Sequence, residues 1–166
     1  EQFSGKKLQF FDPELNQSYV PYVVETSVGL DRMFLSVLSA AYQNEKLEDG
    51  SERVVLRIPA VLAPYKAAVL PLVKKDGLPE KAREIMKQLQ FDYSIQYDEK
   101  DSIGKRYRRQ DAIGTPFSIT IDHQTLTDNM VTVRDRDTME QIRIGISDIE
   151  GLLAEKASWK SVLSTL

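Results

Sequence analysis

An α/β fold is predicted for these 166 residues: a mixed five-stranded sheet with flanking helices, preceded by a separate strand and helix. Three observations carry that prediction. Strand-like and helix-like patterns alternate through the middle of the chain, as they do in βαβ units. Three runs of period-two alternation follow one another near the end, as in an antiparallel meander. A polar, turn-rich stretch separates the first strand and helix from the rest.

The elements follow in order. Residues 1–17 carry little pattern beyond a turn at Asp12-Pro13-Glu14. Tyr19 to Glu25 is β-branched and aromatic, the composition of a strand. Beyond Gly29, Leu30, Met33, Phe34, Val37, Leu38 and Ala41 recur at three- and four-residue steps, so they form one face of a helix expected to be buried. Gln43 to Ser51 reads as an inter-domain linker and divides the chain into domains 1–48 and 49–166. Val54 to Ile58 is a continuous apolar strand, closed by Pro59 and Pro64. A helix starts near Pro79, with Leu78, Ala82, Ile85, Met86 and Leu89 on one side. Phe91 to Tyr97 alternates as a half-buried strand, and a helix from Ser102 to Ala112 ends at Gly114. The meander is Phe117/Ile119/Ile121, Val131/Val133 and Ile142/Ile144, with a turn at Asp135-Arg136-Asp137. Ser147 and Glu150 have capping-box spacing and open a last helix that runs to about Leu163.

Composition narrows the chemistry. Hydrophobic content of 42% and charged content of 28% predict a packed core. No apolar run reaches the roughly 20 residues of a membrane span, and a cytoplasmic location is expected. Without cysteine, and with His123 as the single histidine, the chain has no material for a thiolate or histidine metal cluster, so no metal site is predicted. A net charge of −3 argues against indiscriminate coating of nucleic acid, but it leaves room for a local basic face.

The segment Glu25-Thr26-Ser27-Val28-Gly29-Leu30-Asp31-Arg32 holds the chemistry with the clearest use. A carboxylate can hold an ammonium group and a hydroxyl can hydrogen-bond beside it. A glycine lets a ligand approach the backbone, and an arginine offers a fork for phosphate and a flat cation for a purine. A surface ion pair, a helix N-cap and a turn glycine would give the same residues, and spacing alone leaves both readings open.

Glu25 to Phe34 also resembles motif 3 of class II aminoacyl-tRNA synthetases, in the form used by homodimeric glycyl-tRNA synthetases: Glu-Pro-Ser-x-Gly-(Ile/Leu/Val)-(Asp/Gly)-Arg. Thr26 replaces the usual proline. The resemblance continues through Leu62 to Leu72, Ile113 to Asp122 and Leu126 to Gln141, and it covers essentially the whole chain. It implies that 1–48 is the end of a catalytic domain and 49–166 an anticodon-binding domain. The parent would be a glycine–tRNA ligase, a homodimer that activates glycine with ATP and Mg2+ and charges tRNA(Gly). Glu25 and Ser27 would bind glycine, Arg32 would be catalytic, and Gly29, Leu30, Asp31 and Arg32 would bind ATP. Motifs 1 and 2 do not occur in the numbered residues, so the chain alone is expected to be inactive, to need no cofactor and to retain tRNA binding.

Lys105, Arg108 and Arg109 share the side of their helix opposite Ile103 and Tyr107, so all three can face solvent. They are candidates for tRNA phosphates; a solvated face is the plain alternative, and the tRNA would then be expected at the strand ends near Thr115 and Arg134. Tyr93, Tyr97 and Phe117 read mainly as packing residues, and His123 with Asp122 makes no triad. Two rivals share parts of the pattern. A non-catalytic synthetase-like module that binds nucleic acid or protein would have no need of Glu25, Ser27 and Arg32 together. A flavodoxin-like ligand domain would want a glycine- or serine-rich loop where Pro59 to Pro64 stands.

Overall fold

The computed structural model describes residues 2–164. The chain forms two compact units, one up to Met33 and one from Phe34 onward. In the first, β1 (Phe10–Asp12) and β2 (Gln17–Tyr19) pair antiparallel. The Asp12 carboxylate accepts the N–H groups of Glu14 and Leu15 at 2.9 and 3.1 Å, which fixes the expected turn. The predicted strand Tyr19 to Glu25 does not form beyond Tyr19. Among the described residues its main chain has no neighbouring strand to bond, and Tyr22, Val23 and Val24 lie open to solvent. Helix α1 (Leu30–Ala41) begins in this unit and ends in the second. Its apolar face was expected to be buried; Leu30, Met33 and Phe34 are exposed, Val37 and Leu38 are half-buried, and Ala41 is buried. Toward the end of the helix the face is covered, where Ala41 and Val37 pack with Ile58 and Ala63.

The second unit opens with a hairpin of β3 (Tyr42–Lys46) and β4 (Glu52–Leu56). The stretch read as a linker is therefore one arm and the tip of this hairpin. Its polar residues suit a two-stranded ribbon with one wet face, and Gly50, at φ 80°, turns the chain. Three strands follow with their helices: β5 (Ala67–Pro71), α2 (Leu78–Leu89), β6 (Ile95–Tyr97), α3 (Ile103–Ile113) and β7 (Phe117–Ile121). The chain then continues through α4 (Thr125–Asp128), β8 (Met130–Asp135), β9 (Gln141–Gly145), α5 (Ile149–Lys156) and α6 (Trp159–Leu163).

The sheet has five strands in the order β6-β5-β7-β8-β9. β5 runs parallel to β6 and β7, and β7, β8 and β9 are antiparallel, so the mixed sheet is as expected. Its membership is not. Val54 to Ile58 contributes only to the hairpin, and the central strand is Ala67–Pro71, all five residues buried. β6 is shorter than predicted, and Phe91 is 85% exposed. The last helix breaks between Lys156 and Trp159. Ser147 caps nothing, since its hydroxyl bonds Asp148.

One face of the sheet packs Val69, Ile119, Ile121, Val131 and Val133 against Leu78, Ala82 and Ile85 of α2 and Ile149 and Leu153 of α5. Each buried valine, leucine or isoleucine among these contributes roughly 1.5–3 kcal/mol. Helix α3 packs against β4 and β5. It stops where Gly114 turns left-handed at φ 84°. No helix among the described residues is long and apolar enough to cross a membrane.

Candidate nucleic-acid interface

Strand alternation sends Phe117, Ile119, Val131, Val133, Ile142 and Ile144 to the core side. The intervening residues, Ser118 and Thr120 on β7, Thr132 and Arg134 on β8, and Gln141 and Arg143 on β9, share the other face. The register places Ser118 opposite Arg134, Thr120 opposite Thr132, Thr132 opposite Arg143 and Arg134 opposite Gln141. These strands therefore carry polar residues on the face opposite the core; Ser118, Thr120 and Arg134 are buried there, and Thr132, Gln141 and Arg143 reach solvent.

At the α3 side of this face, the Tyr107 hydroxyl and the Thr120 hydroxyl are 2.7 Å apart. The Arg134 guanidinium lies 5.0 Å from the centre of the Tyr107 ring and donates to both Asp111 oxygens at 2.8 and 3.1 Å. Asp111 is fully buried and also accepts from Arg53 Nη1 at 3.3 Å. Arg53, itself buried, donates further to Glu45 and to the Arg136 carbonyl. One acid thus ties α3 to the hairpin and to the sheet. At the far side, Arg143 pairs with Asp122 at 2.9 Å and Asp128 at 3.0 Å. Burial pushes the Asp122 carboxyl up, but Arg143 and the N–H and hydroxyl of Thr125 outweigh it and hold the group below the usual carboxylate range.

The predicted tRNA residues separate into three environments. Lys105 is exposed, and Arg108 reaches solvent with its nearest acid, Asp111, 3.9 Å away. Arg109 is partly exposed but engaged: it donates twice to Asp98, at 3.0 and 2.7 Å, and once to Asp101 at 2.9 Å. Thr115 and Arg134 are buried, Thr115 donating to Gln110 at 2.8 Å. Arg106, in the same basic run, is 2% exposed and bonds main-chain carbonyls only. Phe117 is core, as read, and the Tyr97 hydroxyl donates to Glu99. His123 pairs with Asp76 at 3.0 Å rather than with Asp122. Thr120, Thr132, Gln141 and Arg143 were not singled out. The signal that finds them is the polar half of the alternation that found the strands.

In the first unit, Glu25 and Ser27 lie on an exposed segment without regular structure. Gly29 accepts the Met33 N–H at 3.0 Å, and Leu30, Asp31 and Arg32 form the first turn of α1. Carbon atoms of the Arg32 side chain pass 3.9 Å from where a Gly29 side chain would begin, so this pair is brought together.

Comparison with known proteins gives this geometry a family. A family model described as an anticodon binding domain matches residues 66–156, more than half of the chain. The chain belongs to the anticodon-binding domain family. The match begins one residue before β5 and ends with α5, so this family supplies the five-stranded sheet and α2 to α5. Among curated relatives, glycine–tRNA ligases of Macrococcus caseolyticus and Staphylococcus haemolyticus are 54% and 53% identical over 92% and 94% of the chain. The chain spans about a third of their length, 33% and 34%. The glycine–tRNA ligase of Clostridium tetani is 51% identical over 94% of the chain and 33% of its own length. A crystal structure of the RNA binding domain of threonyl-tRNA synthetase from Cryptosporidium parvum shares the fold, with a TM-score of 0.55 and 21% identity over 61% of this chain and 26% of that one.

Proposed function

We propose that this chain is the tRNA-recognising portion of a glycine–tRNA ligase and that its anticodon-binding domain grips the anticodon arm of tRNA(Gly) with the polar sheet face and the outer side of α3. The observation that carries the reading is the solvent-reaching part of the polar sheet face, Thr132, Gln141 and Arg143, together with exposed Lys105 and half-exposed Arg108 on α3, while Thr120 and Arg134 are buried against Tyr107 and support it. A platform of hydroxyl, amide and guanidinium groups can hydrogen-bond the edges of splayed single-stranded bases, while lysine and arginine at its margin take phosphates. Thr115 supports this surface from beneath by holding the C-terminal turn of α3. In the same proposal the segment with Glu25, Ser27 and Gly29 to Arg32 belongs to the catalytic domain, where it contributes to the glycine and ATP sites of a homodimeric, cytoplasmic parent. The boundary between the domains then falls before the hairpin rather than at residue 48, because β3 and β4 are one ladder. Among the described residues no three histidine or carboxylate side chains gather to hold Mg2+, so the residues present give that ion no seat.

The test is titration of tRNA(Gly) into Lys105→Glu and Arg108→Glu. Phosphate contacts carry no sequence information, so each change weakens cognate and anticodon-mutated tRNA alike. Each also lowers the slope of log affinity against log salt by about 0.7. Arg143→Gln, on the platform, affects the cognate tRNA more than the mutated one. Curves that overlay the parent at every salt concentration refute the interface.

A further inference from the structure

The loop between β6 and α3, Asp98 to Asp101, is held far more tightly than a surface connection needs. The Lys100 carbonyl accepts from Arg109 Nη2 at 2.6 Å and from Arg106 Nε at 3.3 Å. The Asp101 carbonyl accepts from Arg106 Nη2 at 2.7 Å and Nε at 3.2 Å. The Asp98 carboxylate takes a two-pronged contact from Arg109 and, through its other oxygen, the Lys100 N–H at 2.8 Å. Glu99 is tied to Tyr97 and, at 3.2 Å, to Arg83. Asp101 sits at φ 66°, the left-handed region that aspartate tolerates better than most residues with a side chain. With the main chain fixed in this way, the exposed side chain of Lys100 stands at the N-terminal end of α3.

From this geometry we infer that Arg109 is a positioning residue for the loop rather than a phosphate contact, and that Lys100, on that loop, is a phosphate contact in its place. The inference rests on the reading that the outer side of α3 binds tRNA. The planar fork of Arg109 is occupied by Asp98, Asp101 and the Lys100 carbonyl, and a phosphate would have to displace them. Lys100 carries a compact charge on a flexible stem, is not engaged by any of these bonds, and loses little freedom at the backbone when it meets RNA, because its main chain is already ordered.

Two substitutions separate positioning from charge. Arg109→Lys keeps the charge and loses the fork; positioning predicts weaker binding by about three- to tenfold, whereas a phosphate contact would be largely preserved. Asp98→Asn removes a negative charge near an anionic ligand. Electrostatics alone makes that change strengthen binding, and positioning makes it weaken. Both are measured in the full chain with a tRNA(Gly) transcript over a range of salt. Lys100→Ala is expected to lower the salt slope by about 0.7, and by clearly less when Asp98→Asn is already present. A general loss of stability would not produce that dependence. If Lys105→Glu weakens binding while Asp98→Asn strengthens it, or while Arg109→Lys binds as the parent does, the positioning role is overturned and the interface stands. A slope unchanged by Lys100→Ala overturns the contact. If neither Lys105→Glu nor any of these changes alters binding, the interface reading itself has failed.

Discussion

Replacing Asp111 by asparagine tests whether the buried network holds α3 in place. The carboxylate is fully buried and receives Arg134 at 2.8 and 3.1 Å and Arg53 at 3.3 Å. An amide has one acceptor oxygen, and its nitrogen would face a guanidinium, donor against donor. Arg53 would keep Glu45 and the Arg136 carbonyl. Arg134, whose side chain is 6% exposed, would keep one bond to the amide oxygen and the Tyr107 ring, but would lose its second bond and the carboxylate charge that neutralises it. One cation is therefore left buried without compensation, a situation that costs about 3–5 kcal/mol; the partners retained by Arg53 place the estimate near the lower end. At roughly 3 °C per kcal/mol for a chain of this size, the melting temperature falls by about 9 °C. Urea unfolding followed by circular dichroism measures the loss, with Lys105→Ala as a surface control expected within about 0.5 kcal/mol of the parent. A loss below about 1 kcal/mol for Asp111→Asn would show that water or rearrangement supplies what the carboxylate does, and the argument from burial would be wrong.

Other outcomes follow from local geometry. Burial acts to raise the Glu45 carboxyl, but hydrogen bonds and charge from Arg57 and Arg53 outweigh it and hold the group below its ordinary 4.5. Its stabilisation is therefore complete above that pH and lost as pH falls through the depressed folded-state value. Glu45→Gln should lower the urea midpoint at neutral pH and make its decline below about pH 4.5 shallower. Gly114 has φ 84°, and an added methyl would meet the Leu56 carbonyl and Ile58 at 3.0 Å, so Gly114→Ala should destabilise by about 1–3 kcal/mol. Gly104, inside α3 with nothing within 4 Å, should gain about 0.5–1 kcal/mol on change to alanine; thermal melts compare the two. Glycine-dependent exchange of pyrophosphate into ATP should stay at background for the chain alone, because Glu25 and Ser27 lie on an open segment. Exchange above a buffer control would contradict that.

What was legible in the sequence depended on how local its cause was. Helix α2 and the three meander strands follow from spacing within each segment, and both were read with nearly the observed bounds. Ala67-Ala68-Val69-Leu70-Pro71 was missed as the central strand because it is buried on both faces and so has no alternation, and two alanines and a proline are poor strand formers. Val54 to Ile58 was assigned to the main sheet because its valines and leucine form a continuous apolar run. In fact Val55 faces inward beside a buried arginine, Arg53, whose partner Asp111 is 58 residues away. No window of sequence contains both. For the site, Lys105 and Arg108 were visible as cations on a helix. Arg109 was not visible as an engaged group, because its acids lie on the preceding loop. Glu25 and Ser27 were legible only through the motif that they resemble.

The ends of the five-stranded sheet bear on how copies of this protein behave when crowded. A free strand edge is a row of unpaired N–H and C=O groups that can recruit another chain. β6 offers only three residues, too few to hold an incoming strand well. β9 offers five, but the charge of Arg143 stands among them and Asp122 and Asp128 lie beside it. The sheet is thus poorly suited to growth in either direction. Tyr19 to Val24 has no such guard: its side chains are exposed and rich in tyrosine and valine, and Pro21, which cannot donate a hydrogen bond, is the main interruption to pairing. Among the described segments this run, guarded by Pro21 alone, is therefore more open to pairing with another strand than either edge of the folded sheet.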